Sequence, residues 1–172
     1  NYVPLRGKEC STQQMPFISE KIPTFEEFAN ASIEDIFGDE IVDAYERKVT
    51  NFESIILINK GNNKFDIEKL PPLAQSIPIL TSDVIDINND GYEDVIVAGN
   101  IYNTEVETPR LDNQFALVLI SNKNSNYDVI GPEKSGLYLS GNTKSIKIIG
   151  NKSPKLLAAN NNSDLEVFQF NK

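Results

Sequence analysis

The hydrophobic and polar positions follow two different patterns on either side of Thr50. Downstream, short runs rich in Ile, Leu and Val are separated by clusters of Asn, Gly, Asp and Ser, the signature of strands joined by tight turns. The runs predict strands at 52–58, 64–68, 83–86, 94–99, 115–121, 126–130, 144–149, 155–159 and 165–170. Upstream, residues 1–23 contain Pro4, Pro16 and Pro23 and no clear period, so they read as an irregular lead-in with one short strand near Met15 to Ile18. Residues 24–49 read as a helical insertion. Thr24 and Glu27 have capping-box spacing, and Phe25, Phe28 and Ala29 fall on one helical face. Ser32 caps a second helix that Gly38 ends after Phe37. Asp39 caps a third, with Ile41, Val42 and Tyr45 inward and Arg47 and Lys48 near its C-terminal end.

The strand-rich region contains an internal repeat. Residues Ile55 to Ile67 align without a gap on Leu117 to Val129, each position 62 residues after its counterpart. The match pairs Leu57 with Leu119, Phe65 with Tyr127 and Asp66 with Asp128. Each copy reads as strand, polar turn, aromatic, strand. Further on, Ile96 to Asn100 matches Leu156 to Asn160 at a shift of 60. A unit of four strands and about 60 residues is the size of a β-propeller blade. The expected fold is therefore mainly β, with about two and a half four-stranded antiparallel blades of a larger propeller spanning 50–172. Blades bury their faces only in rings, so the remaining blades are expected from the same precursor or a partner chain.

Composition narrows the chemistry. Of 172 residues none is histidine, which removes histidine-activated nucleophiles, histidine general bases and histidine-ligated metals. One cysteine, Cys10, allows neither an internal disulfide nor a cysteine-rich metal site. The net charge of -9 disfavours nucleic acid and suits either a soluble surface or one that gathers cations. The apolar runs are too short to span a bilayer. The chain opens on Asn1 without a leader pattern, so an export signal is expected upstream.

The densest chemistry lies in Asp86-Ile87-Asn88-Asn89-Asp90-Gly91-Tyr92-Glu93-Asp94. Asp86, Asn88, Asp90 and Asp94 stand at positions 1, 3, 5 and 9, and Gly91 stands at position 6. Alternate side chains of a tight loop converge on one centre, and calcium takes six to eight oxygen ligands. The glycine permits the turn that brings in the Tyr92 carbonyl. β-like runs flank the loop, and position 12 is Val97 instead of glutamate, so an EF-hand switch is not expected. The plainer alternative is a solvated Asn-Asp-Gly turn with incidental acids. The equivalent segment of the next repeat, Ile149 to Lys155, carries two lysines and a proline and no acid. One calcium site is expected, not two.

The Asp-x-Asn-x-Asp-Gly-x-x-Asp loop, the run Val95 to Gly99 after it and the Asn59-to-Phe65 turn together resemble the FG-GAP/VCBS repeat family. Arg6 to Phe17, Pro23 to Ala29 and Gly99 to Glu107 look like stretches of the C-terminal part of large VCBS-repeat surface proteins of Bacteroidota. The resemblance implies an integrin-type β-propeller with calcium held by Asp86, Asn88, Asp90, the Tyr92 carbonyl and Asp94. It further implies an extracellular, outer-membrane-associated protein, often a lipoprotein, that serves a nutrient-uptake assembly. Two departures stand out: the second repeat lacks the loop, and no Phe-Gly-Gly-Ala-Pro signature is present.

Three functions compete. In the first, the chain is a calcium-stabilised binding or scaffold module whose partners are outer-membrane subunits or a glycan. The second is a propeller enzyme acting on extracellular glycans, for which Glu105, Glu107, Arg110 and Asp112 would line a cleft. A run of charges between strands more often forms a solvated loop, and no spacing marks a nucleophile. A calcium sensor, the third, is disfavoured by Val97.

Overall fold

A computed structural model describes residues 2–106, 108–122 and 126–170, and divides the chain into two compact units, the first ending at Thr50. The first unit has no strand among its described residues and is built of short helices. It contains α1 (Lys8–Gln14), α2 (Phe17–Lys21), α3 (Phe25–Asn30), α4 (Ile33–Phe37) and a 3-10 turn over Gly38–Asp43. Both predicted capping boxes form: the Glu27 amide donates to Thr24 Oγ1 at 3.1 Å, and the Asp35 amide to Ser32 Oγ at 3.1 Å. Gly38 ends α4 with a φ of 60°. Ile18, Ile22, Phe28, Ala31 and Ile36 make a small core, and the Lys21 ammonium donates to the Ile36 carbonyl.

Two expectations for this unit are corrected. The lead-in at 1–23 is not irregular and holds no strand at Met15 to Ile18, because α1 and α2 occupy it. These helices are too short to show a period, and α2 is held by burial of Ile18, with Ile22 just past its end, against α3 and α4. The third helix is only a 3-10 turn, with Val42 and Tyr45 both exposed rather than inward. Its apolar side chains have no facing surface, so tertiary packing adds nothing to weak propensity. Phe25 and Ala29 are exposed too, and Phe28 alone of the proposed face enters the core.

The second unit is mainly β. All nine predicted strands are present: β1 (Ile55–Asn59), β2 (Phe65–Lys69), β3 (Thr81–Ile85), β4 (Asp94–Ala98), β5 (Leu117–Ser121), β6 (Tyr127–Ile130), β7 (Thr143–Ile149), β8 (Lys155–Asn160) and β9 (Glu166–Gln169). They form three small antiparallel sheets, a β1-β2 hairpin, a four-stranded β3-β4-β5-β6 meander and a three-stranded β7-β8-β9 meander. Two single turns, α5 (Pro72–Gln75) and α6 (Pro132–Ser135), follow β2 and β6. No propeller is evident among the described residues.

The four-stranded sheet is buried on both faces, and alternation along its strands sorts the side chains. Ile96, Ala98 and Val118 join Ile146, Leu156 and Ala158 in one core. Val97, Leu117 and Leu119 join Leu70, Ala74 and Ile77 in the other, with Ile56 packed against them.

The repeat is real in three dimensions. Leu57 pairs with Ile67 in the first hairpin, and Leu119 pairs with Val129 in the second. Both turns are closed alike: the Lys60 amide donates to the Lys64 carbonyl, and the Asn122 amide to the Asn126 carbonyl. Residues 123–125 of the second copy lie outside the described residues. The shift of 60 fares differently. Ile96 and Leu156 line the same core, so that match does not mark one position in successive layers.

A polar seam joins β3 to β7. The Ile146 amide donates to Thr81 Oγ1 at 3.1 Å, and the Ile148 amide to Asp83 Oδ2 at 2.6 Å. Lys147 pairs with the same aspartate at 2.9 Å. Asn100 makes a second tie: its amide donates to the Thr143 carbonyl, and its Nδ2 donates to the Gly141 carbonyl at 2.7 Å.

Candidate metal centre

The acidic loop closes the β3-β4 hairpin, whose last pair is Ile85 with Asp94. It is therefore a strand-loop-strand, as its flanks require. Two residues adopt left-handed backbone, Asn89 at φ 58° and Gly91 at φ 89°. Nothing stands within 4 Å of a Cβ built on Gly91, so its backbone angle, not crowding, selects glycine.

Three of the expected ligands are brought together. The Asp90 amide donates to Asp86 Oδ1 at 3.1 Å and to Asn88 Oδ1 at 3.0 Å. The Gly91 amide donates to Asp86 Oδ2 at 2.9 Å, and the Tyr92 amide to Asp90 Oδ1 at 2.9 Å. Asn88 Nδ2 donates to Asp90 Oδ2 at 2.9 Å. These short-range bonds wind the loop tightly on itself, with Asn88 and Asp90 exposed.

Asp94 has a different setting. Its side chain is fully buried, with Oδ2 accepting from the Ile87 amide at 3.0 Å and Oδ1 from the Ser121 amide at 2.8 Å. One carboxylate thus fastens the loop to its own strand and to β5. Among the described residues no three carboxylate or thiolate side chains stand together as a metal-holding group. The donor chemistry still fits a hard cation, since every candidate atom is oxygen. A carboxylate oxygen that accepts one amide keeps a second lone pair for a metal. Among the described residues no Lys or Arg is paired with Asp86, Asp90 or Asp94.

No family model, curated protein or solved structure matches the chain.

Beside the loop, Asp86, Ile87 and Asn89 form one wall of an open cleft of about 970 Å³. Lys152, Pro154 and Phe170 stand on its far side. The β7-β8 connection that supplies Lys152 and Pro154 turns on Gly150 at φ 83°, without an acid. It is the ordinary turn that the second repeat predicts.

The charged stretch after Asn100 is tied up in its own contacts. Arg110 pairs with Asp112 at 2.8 Å and lies over the Tyr102 ring, 4.7 Å from its centroid. The Tyr102 hydroxyl donates to Asp112 Oδ1 at 2.9 Å. Burial, then the Asp112 hydrogen bond and charge, push the Tyr102 phenol up, with Arg110 opposing. Thr108 Oγ1 donates to Glu105 Oε1. Glu107 lies outside the described residues.

Sequence reasoning did not anticipate Asp83, Asn100 or the structural part taken by Asp94. For Asp83 a signal existed: Thr81, Asp83 and Ile85 alternate with Ser82 and Val84, placing an acid on the face of a strand that also carries Ile85. Burial opposes its ionisation, but the Ile148 amide, the Lys147 ammonium and the Val84 amide together hold its carboxyl below the usual range.

Proposed function

We propose that the chain is a calcium-stabilised extracellular scaffold or binding module of the FG-GAP/VCBS type, its three sheets being parts of propeller blades. One observation carries the metal reading. Two carboxylates and an amide oxygen are wound into one loop, a third carboxylate is buried at its end, and among the described residues none has a cationic partner. Buried or crowded carboxylates call for a counter-charge, and a hard divalent ion supplies one. Asp86, Asn88 and Asp90 would bind it, the Tyr92 carbonyl would complete the turn, and Asp94 would hold the loop to β5.

Support for the scaffold reading comes from packing. The four-stranded meander is covered on one face by the β7-β8-β9 sheet and on the other by the α5 segment with Ile56 of the first hairpin, a layering that stacked blades would also need. Calcium at millimolar levels outside the cell suits a loop with few ligands and a low-affinity site. Outer-membrane subunits or a glycan remain the partners that the family resemblance proposes. Among the described residues no helix is long and apolar enough to cross a membrane.

The test is a thermal melt of the full chain with calcium and with chelator. Ligand at one hundred times its dissociation constant adds about 2.7 kcal/mol. The parent should melt several degrees higher in calcium, and Asp86→Ala and Asp90→Ala should lose that increment. An Asp90→Ala chain that responds to calcium as the parent does would sink the metal reading.

A further inference from the structure

The apolar core of the first unit ends, in chain order, at Phe37. Past the 3-10 turn, residues 45–52 take up neither helix nor strand, and among the described residues their backbone makes no hydrogen bond. Every residue from Val42 to Glu53 is exposed, Val49 at 62% and Phe52 at 88%. Within this stretch stands the adjacent basic pair Arg47-Lys48, where the sequence places the end of a third helix. Arg47 is engaged locally: its Nε donates to the Tyr45 hydroxyl at 2.9 Å, and its guanidinium lies over that ring, 5.0 Å from the centroid. Among the described residues Lys48 pairs with no acid. Other basic residues sit where the backbone is bonded. Lys69, Lys144 and Lys155 lie in β2, β7 and β8, Lys134 lies in α6, and Lys60 and Lys64 flank a turn closed by a backbone bond.

We propose that Arg47-Lys48 is a processing site, at which a protease with an acidic pocket for a basic side chain cuts the folded chain after Lys48. Such an enzyme must draw several residues out as an extended strand, which costs little only where no backbone bonds have to be broken. Residues 45–52 meet that need as they stand. Water adds across the Lys48–Val49 peptide bond, its hydroxyl going to the Lys48 carbonyl carbon and its hydrogen to the Val49 nitrogen. The cut falls after Phe37, the last core residue of the first unit, and before β1 at Ile55, so each product keeps a whole core. The inference draws on neither the metal reading nor the scaffold reading.

The experiment is a digestion of the folded full chain with a trace of trypsin, read by intact mass. Residues 1–48 and 49–172 are expected as the first products, formed at least about tenfold faster than any later fragment. The nicked sample should keep the circular dichroism of the parent. A chain carrying Arg47→Gln and Lys48→Gln, with the parent's melt, should lose this cut. A first cut at Arg6, Lys60 or Lys152, or loss of the sheet signal on nicking, overturns the proposal. Protein recovered from the cells that make it should carry an N-terminus at Val49; recovery of uncut chain alone overturns the proposal even where trypsin cuts as expected.

Discussion

Leu57 and Leu119 hold the same register position in two hairpins 62 residues apart, yet Leu119 is 0% exposed and Leu57 is 56% exposed. The identical side chain is core in one copy and surface in the other, because Leu119 faces Leu70, Ala74 and Ile77. Truncation should read this difference directly. Leu119→Ala is expected to cost about 2–5 kcal/mol and Leu57→Ala below about 1 kcal/mol by urea denaturation. Equal losses would mean that Leu57 is covered in solution.

Asp94 is the joint between the loop and β5. Replacing it by Ala leaves the Ile87 and Ser121 amides without acceptors inside the protein. An orphaned buried donor costs about 1–3 kcal/mol, and with two part-buried donors freed Asp94→Ala should lose about 2–6 kcal/mol even in chelator. Asp86→Ala, on the solvent side of the loop, should be far milder in chelator and severe only as lost calcium response. A chelator-treated Asp94→Ala chain as stable as the parent would contradict the strut.

Acid should loosen the seam between β3 and β7. Burial works against ionisation of Asp83 in the seam, and of Glu166 where β9 meets Ser140 and Asn160, but hydrogen bonds to each outweigh it and hold both carboxyls below their ordinary range. A depressed folded-state pKa adds stability that is present above the unfolded value and lost as pH falls through the folded one. Unfolding midpoints should therefore drop as pH is lowered through and below the ordinary carboxylate range. The gap between parent and Asp83→Asn should narrow over the same interval; a gap independent of pH would show that Asp83 does not contribute.

Gly99 follows β4 at a point of close approach. A Cβ there would come within 2.4 Å of the Pro78 carbonyl oxygen and 2.7 Å of the Leu80 nitrogen, both backbone atoms. Gly99→Ala must push two segments apart, and we expect a loss of about 1–3 kcal/mol by denaturant melt. A neutral outcome would place the Pro78–Leu80 segment elsewhere in solution.

Strands were legible in this sequence because alternation and turn residues act over a few positions. Asp94 to Ala98 forms within one residue of the expected 94–99, and the strand expected at 52–58 forms three residues later, at Ile55 to Asn59. The capping boxes at Thr24 and Ser32 were legible for the same reason, since each bond spans three residues. Burial of short helices was not, because Ile18 is ordered by Phe28 and Ile36, which no local pattern reveals. The loop could be read as a group of oxygen donors. That Asp94 would turn to Ser121, 27 residues on, depends on where β5 packs. The shift of 60 misled because a period-two strand hides one residue of slip in sequence while reversing every side chain in space.

The excursion between β4 and β5 is shut at its neck, where Ile101 and Leu111 exchange two backbone bonds of 2.9 and 2.8 Å. Strain or extra length introduced beyond that clasp meets it, and the Tyr102 and Arg110 bonds to Asp112 that brace it, before it meets either strand. The bight is thus mechanically insulated from the sheet, and an affinity tag or reporter inserted after Asn103 should leave the melting behaviour of the domain as it was.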